Sequence, residues 1–201
     1  MIINWSQSLI NDIARRRCVI VLGSGISSQS TNALGIRPKT WRLLLEAARD
    51  QLVKDQAVKD EITKLIDQDR DYLTACQLVK DSVPDTEFHE FLRSEYLTPG
   101  FKDAPIHDIV MRLDSRLYAT PNFDRIFETY VNYAQNGTVV VKLYDDNDLA
   151  ELVRGVHTVV IKIHGSVDVI NRAIFTREQY ARARTPVCHN SLRENPVRKV
   201  L

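Results

Sequence analysis

The sequence predicts an α/β protein built on a doubly wound, Rossmann-like parallel sheet, and three observations carry that prediction. Short apolar runs of strand type recur at 18–22, 116–120, 138–144 and 158–163. Helix-periodic stretches alternate with them, the pattern of parallel strands joined by crossover helices. Three of the runs end in polar or glycine-containing turns, at 23–27, 121–124 and 164–166. In such a sheet ligands bind beyond the carboxyl ends of the strands, so the coincidence of three such turns points to one shared site.

The elements follow in order. Trp5, Leu9, Ile10 and Ile13 are spaced for one face of a helix over 4–16. Cys18-Val19-Ile20-Val21-Leu22 then reads as a buried strand running into Gly23-Ser24-Gly25-Ile26-Ser27. Such a strand end can bring bare backbone N–H groups against a phosphate. Glycine suits it twice: the chain must bend sharply, and a Cβ would hold the backbone away from a pyrophosphate. A tight structural turn explains the same residues. No Gly-Lys-Ser/Thr follows, which disfavours a triphosphate-cradling P-loop, and the third glycine of the dinucleotide fingerprint is missing.

Thr40 is placed to cap a helix that starts at Trp41. From there to residue 97 the chain reads as a helical insertion, 42–97, between the first and second strands. Its stripes, such as Leu44, Ala48 and Leu52, then Ile62, Leu65 and Ile66, then Phe88, Phe91 and Leu92, are core in character. The strand at 116–120 turns through Pro121-Asn122-Phe123-Asp124 into a helix at 124–134. A strand at 138–144, a short helix at 148–154 and a buried strand at 158–163, ending in His164-Gly165-Ser166, complete the pattern.

Composition narrows the function classes. With 201 residues, 44% of them hydrophobic, the chain can bury a real core as one domain over 1–201. A net charge of +1 with interspersed signs does not recommend nucleic acid as a partner. Arg15-Arg16-Arg17 sits where a first helix ends and complements its dipole. No apolar stretch approaches the roughly 20 residues of a membrane span, and residues 1–10 lack a signal-peptide core, so a cytoplasmic location is expected. Cys18, Cys76 and Cys188 are too widely spaced for a disulfide framework or a zinc site; free thiols are expected, two of them buried. His89, His107, His157 and His189 show no ligand spacing, and no metal is expected.

Taken together, the motifs resemble the SIR2-like superfamily, the NAD-consuming fold of the sirtuins, and specifically its bacterial branch found in antiphage defence. The resemblance rests on Gly23-Ser24-Gly25-Ile26-Ser27, on Trp41 with Leu44-Leu45, on Thr120-Pro121-Asn122-Phe123-Asp124 and on Lys162-Ile163-His164-Gly165. The segment Ala173-Ile174-Phe175-Thr176-Arg177-Glu178-Gln179-Tyr180 resembles the stretch that follows the histidine strand, and the motifs occur in family order across residues 15–185. Two departures stand out. The four-cysteine zinc module of sirtuin deacylases has no counterpart here, which argues against lysine deacylation. The family continues with a further strand and a Gly/Ser-Asp-Pro turn toward the adenosine end of NAD, whereas residues 186–201 are atypical. Truncation or completion by a partner is therefore expected, with an exposed strand edge.

The resemblance implies NAD as substrate, cleaved at the nicotinamide–ribose bond to nicotinamide and ADP-ribose, with an NAD-depleting role in antiphage defence. It implies that His164 contacts the ribose and serves as general base, and that Asn122 positions a water or the ribose. Gly23, Ser24, Gly25 and Ile26 would hold the pyrophosphate, with Ser27 adding a hydroxyl. Asp124 reads equally as an acceptor for the ligand and as a helix cap, and Trp41 as packing or as a cofactor contact. Pro121 replaces the more usual Thr or Gln. The implied partners are a homo-oligomer or a regulatory protein such as an ATPase or sensor. A catalytically inactive module that senses NAD or ADP-ribose is the alternative.

Overall fold

The computed structural model describes residues 4–148, 152 and 154–184. Four parallel strands, β1 (Val19–Val21), β2 (Leu117–Thr120), β3 (Val140–Leu143) and β4 (Val159–Lys162), form one sheet in the order β1-β2-β4-β3. This is the expected α/β fold, and its helices begin with α1 (Gln7–Ala14) and the single turn α2 (Ser24–Ser27). Between β1 and β2 come α3 (Trp41–Leu52), α4 (Gln56–Lys64) with a π-helical turn at Leu65–Asp69, α5 (Tyr72–Asp81), α6 (Asp85–Tyr96) and α7 (Pro105–Met111). Helix α8 (Ile126–Ala134) follows β2; a 3₁₀ turn at Val167–Arg172 and α9 (Arg177–Arg184) follow β4. The helix expected at 148–154 falls largely outside the described residues, as do Cys188, His189 and 186–201.

The register decides where the site forms. Val21 pairs with Ala119 and Thr120 pairs with Lys162. Leu22 N then donates to Ala119 O at 2.8 Å, and Ile163 N to Thr120 O at 2.9 Å. Gly23, Asn122 and His164, each the second residue past its strand, therefore leave the sheet together at its carboxyl end. Strand β4 is buried at all four positions because it has strands on both sides and helices on its faces.

Strand β1 corrects an expectation. It reads as buried from its continuous apolar run, yet Val19 is 49% and Val21 55% exposed. The reason is position: among the described residues β1 pairs with β2 alone and forms an edge. Helix α1 has the expected periodicity, but it contains no buried residue, and Trp5, Leu9 and Ile10 stay more than two-fifths exposed. Arg15 stands at its C-cap, and Arg16 reaches Asp114, with Nε donating to its carbonyl at 2.9 Å.

The expected cap is in place on α3, where Thr40 Oγ1 accepts from Leu43 N. Asp55 and Asp71 cap α4 and α5 in the same way, a carboxylate at a helix N-terminus also complementing the dipole. Leu44, Leu45 and Ala48 of α3 meet Ile62, Val79, Phe88 and Leu92 in one apolar cluster. That cluster also takes in Phe123, Ile170 and Phe175, so the helical block packs directly against the turns that follow β2 and β4. Helix α7 carries too short a periodic signal to stand out in the sequence.

Candidate active site

Each of the three strand ends delivers its polar residue by a different local device. After β1, Gly23 is the N-cap of α2, with φ −83° and ψ −177°. This is extended backbone that any residue adopts, so the bend does not require glycine; what glycine leaves is open space, with nothing within 4 Å of a Cβ built at Gly23 or Gly25. After β2, Thr120 Oγ1 donates to Leu22 O at 2.8 Å and accepts from Asn122 N at 3.1 Å, stitching the second turn to the first. After β4, Gly165 takes φ +86°, and a Cβ there would stand 2.7 Å from Ala173 Cα and 2.9 Å from Arg172 O. Glycine is obligatory at that point because the returning chain lies against it, its Ile174 N donating to His164 O at 2.8 Å.

These turns surround one cavity. Of the residues the sequence singles out, Ser24, Ser27, Trp41, Asn122, Asp124 and His164 line it. Gly23, Gly25 and Ile26 are not in its wall: Gly23 O accepts from Asn122 Nδ2 at 3.0 Å, Gly25 O accepts from Ser28 Oγ at 3.0 Å, and Ile26 packs with Leu22 and Phe127 beneath. Asn122 Nδ2 also donates to Ser27 Oγ at 2.9 Å. With both amide protons committed, Asn122 offers a ligand its Oδ1 as an acceptor. Asp124 lines the cavity and also accepts from Ile126 N through Oδ1 at 3.0 Å, although Arg125, not Asp124, stands at the N-cap of α8.

The opposite wall is aromatic. Phe123 stacks on Phe175 with ring centroids 3.8 Å apart, and Trp41 lies 6.3 Å from each. Trp41 is thus both a packing residue and a cavity residue. Tyr96 of α6 and Tyr180 of α9 also face the cavity, although aromatic residues at helical spacing carry no signal that separates them from core. Tyr180 is edge-on to His164 at 4.9 Å, with its hydroxyl 3.0 Å from the ring nitrogens. Burial pushes the Tyr96 hydroxyl well above its ordinary pKa, with Asp124 adding to the effect.

Burial likewise lowers the His164 pKa to about 4, so the imidazole is neutral at pH 7 and presents a lone pair. At the rim stands Lys39, whose ammonium pairs with Glu95 at 2.5 Å. Among the described residues no group of three or more His, Cys, Asp or Glu side chains is gathered in a way that could hold a metal ion, and no helix is long and apolar enough to cross a membrane. Cys76 is buried and Cys18 half-buried, both as free thiols.

A parallel α/β sheet with three polar strand ends around one cavity is the arrangement that the motifs lead one to expect of a SIR2-like protein. Residues 116–201 match the SIR2-like domain family. It is also 24% identical over 173 residues to the NAD(+) hydrolase ThsA of Acinetobacter baumannii (strain 532279). The aligned part is 86% of this chain and 32% of that protein, so the chain spans about a third of its relative's length. Asn122, Asp124, Lys162 and His164 fall inside the matched family region, while the 23–27 turn and Trp41 precede it.

Proposed function

We propose that the cavity binds NAD and cleaves its nicotinamide–ribose bond, with water as acceptor, to give nicotinamide and ADP-ribose. The observation that carries this reading is the convergence of Asn122 and His164 on one cavity whose third side is the 23–27 turn. The pyrophosphate is placed at that turn, where the first amides of α2 have no intrahelical acceptor and no Cβ obstructs approach at Gly23 or Gly25.

The chemistry follows from charge. Breaking the glycosidic bond builds positive charge on the ribose, as in other glycosyl transfers through an oxocarbenium-like transition state. A neutral imidazole accepts a hydrogen bond from a ribose hydroxyl without opposing that charge. As nicotinamide leaves as a neutral base the water adds to the anomeric carbon, and its proton passes through the ribose hydroxyl and His164 to solvent. Asn122 Oδ1 positions the attacking water from an uncharged acceptor. Bond cleavage needs nothing further from the chain than this positioning and the aromatic wall that excludes bulk water.

An NAD-depleting effector in antiphage defence is the setting we propose, with an assembly of this chain or a regulatory partner holding the activity in check. It draws on the motif set and on likeness to an NAD(+) hydrolase. A specific contact favours a second reading, a non-hydrolysing NAD or ADP-ribose sensor: the Tyr180 hydroxyl already sits at the His164 ring nitrogens. Nicotinamide release by the purified chain, with His164→Ala and Asn122→Ala as controls and the assembly state recorded, separates the two. Release abolished in both variants supports the hydrolase; retained NAD binding with no release in any assembly state supports the sensor.

A further inference from the structure

Lys162 is 0% exposed. An ammonium withdrawn from water costs several kcal/mol unless it is paired and hydrogen-bonded. Here Nζ lies 2.8 Å from Glu128 Oε1 and donates to the backbone carbonyl of Asp124. Glu128 is buried too, and its Oε2 has no hydrogen-bond partner among the described residues. As a source of stability the pair is poor, because apolar side chains of similar volume commonly serve as well or better.

Location supplies the reason for it. Lys162 ends β4, two residues before His164, and Glu128 stands in the first turn of α8. Asp124 closes the turn that carries Asn122. The backbone of that turn is held at three successive residues from three elements: Asn122 N donates to Thr120 Oγ1, Phe123 O accepts from Val167 N at 3.0 Å, and Asp124 O accepts from the Lys162 ammonium. The last is the charge-assisted member, and it joins the β4 end directly to the residue that closes the turn bearing Asn122.

We propose that Lys162 and Glu128 are positioning residues: the ammonium holds the Asp124 carbonyl and so sets Asn122 against His164, while Glu128 holds the ammonium. Neither lines the cavity, so both act through the turn and not on the ligand. The assignment rests on the reading of the cavity as the NAD site.

The test replaces both charges at once, Lys162→Met with Glu128→Leu, which leaves no lone charge in the core. The expected protein is folded and melts cooperatively, with kcat for nicotinamide release down about 10- to 100-fold, as when outer supports of a site are removed, and KM within about threefold. Amide exchange over 121–126 accelerates at least about tenfold while β2 and β4 keep their protection. Glu128→Gln, which preserves volume and an acceptor for the ammonium but not its counter-charge, loses only several-fold in kcat, less than the double variant. Unchanged kcat and unchanged exchange over 121–126 overturn the proposal, as does exchange that rises equally across the sheet. Should the double variant not fold, Glu128→Gln alone decides on the same two readouts: a several-fold lower kcat with local exchange supports the pair, and no change overturns it. A wild-type chain that releases no nicotinamide removes the hydrolase reading, and the exchange over 121–126 still decides the positioning role.

Discussion

Asn122 donates from its side-chain amide to the hydroxyl of Ser27 across 2.9 Å, bridging turns that are 95 residues apart. The same nitrogen donates to Gly23 O at 3.0 Å, so the residue proposed to position water also ties the β1 turn to the β2 turn. Asn122→Ala is expected to cost about 1–3 kcal/mol of stability for the two bonds and to lower nicotinamide release at least about 100-fold. Ser27→Ala removes one bond only and costs about 1 kcal/mol. Asn122→Asp cannot donate to Gly23 O, and it should lose as much activity as alanine does. Denaturant midpoints read beside initial rates check all three.

His164 sets a pH dependence. Its pKa falls from about 6.5 in the unfolded chain to about 4 in the folded one, through burial. Above pH 6.5 the ring is neutral in both states and contributes no slope. Between pH 6.5 and 4 the unfolded chain binds a proton that the folded one refuses, so stability falls as the pH is lowered, by at most about 3 kcal/mol; below pH 4 the contribution is flat. Replacement by Asn should remove this slope from urea titrations taken between pH 7 and 4. In the active chain, the acid limb of kcat/KM due to this residue should lie near pH 4 and not near 6.5.

Glycine substitutions should divide the site into two kinds of position. Ala at Gly165 meets the Ala173 backbone at 2.7 Å with φ at +86°. Backbone cannot move aside as a side-chain tip can, and a loss of more than about 3 kcal/mol is expected. Ala at Gly25 meets nothing within 4 Å, so the melting temperature should hold. ADP-ribose affinity should nonetheless drop about tenfold or more if the pyrophosphate approaches that backbone. Calorimetric titration of a stable Gly25→Ala chain is the decisive measurement.

What could be read in advance follows a physical division. Polar residues at the ends of apolar runs, Asn122 and His164 above all, stand out because a strand has no local use for them, and parallel topology must bring such ends together. The fate of β1 could not be read, since Val19 and Val21 look the same on an edge as in a core; edge position is set by pairing, which apolarity does not encode. Lys162 reads as an ordinary end-of-strand cation until the fold places Glu128 and the Asp124 carbonyl around it. Tyr96 is hidden among helical aromatics for a similar reason, and Tyr180 is legible only as part of the 173–180 segment. The supposed need for glycine at the bend belongs to Gly165, not Gly23, because only the packing of the returning chain reveals which turn is crowded.

Trp41 offers a direct view of binding. It lines the cavity and lies 6.3 Å from both Phe123 and Phe175, while the chain's other tryptophan, Trp5, is 44% exposed just before α1. A ligand that reaches the aromatic wall must change the surroundings of Trp41, so ADP-ribose or NAD should shift or quench the fluorescence saturably. Trp5→Phe should keep that change and Trp41→Phe should abolish it. The second substitution trims a large half-buried ring and should cost about 1–2 kcal/mol. If Trp41 acts chiefly by packing, affinity measured by calorimetry falls less than about tenfold in Trp41→Phe, within what one aromatic contact contributes. A larger fall with unchanged stability would make the indole a direct ligand contact, and an emission change that survives in Trp41→Phe would place the ligand elsewhere.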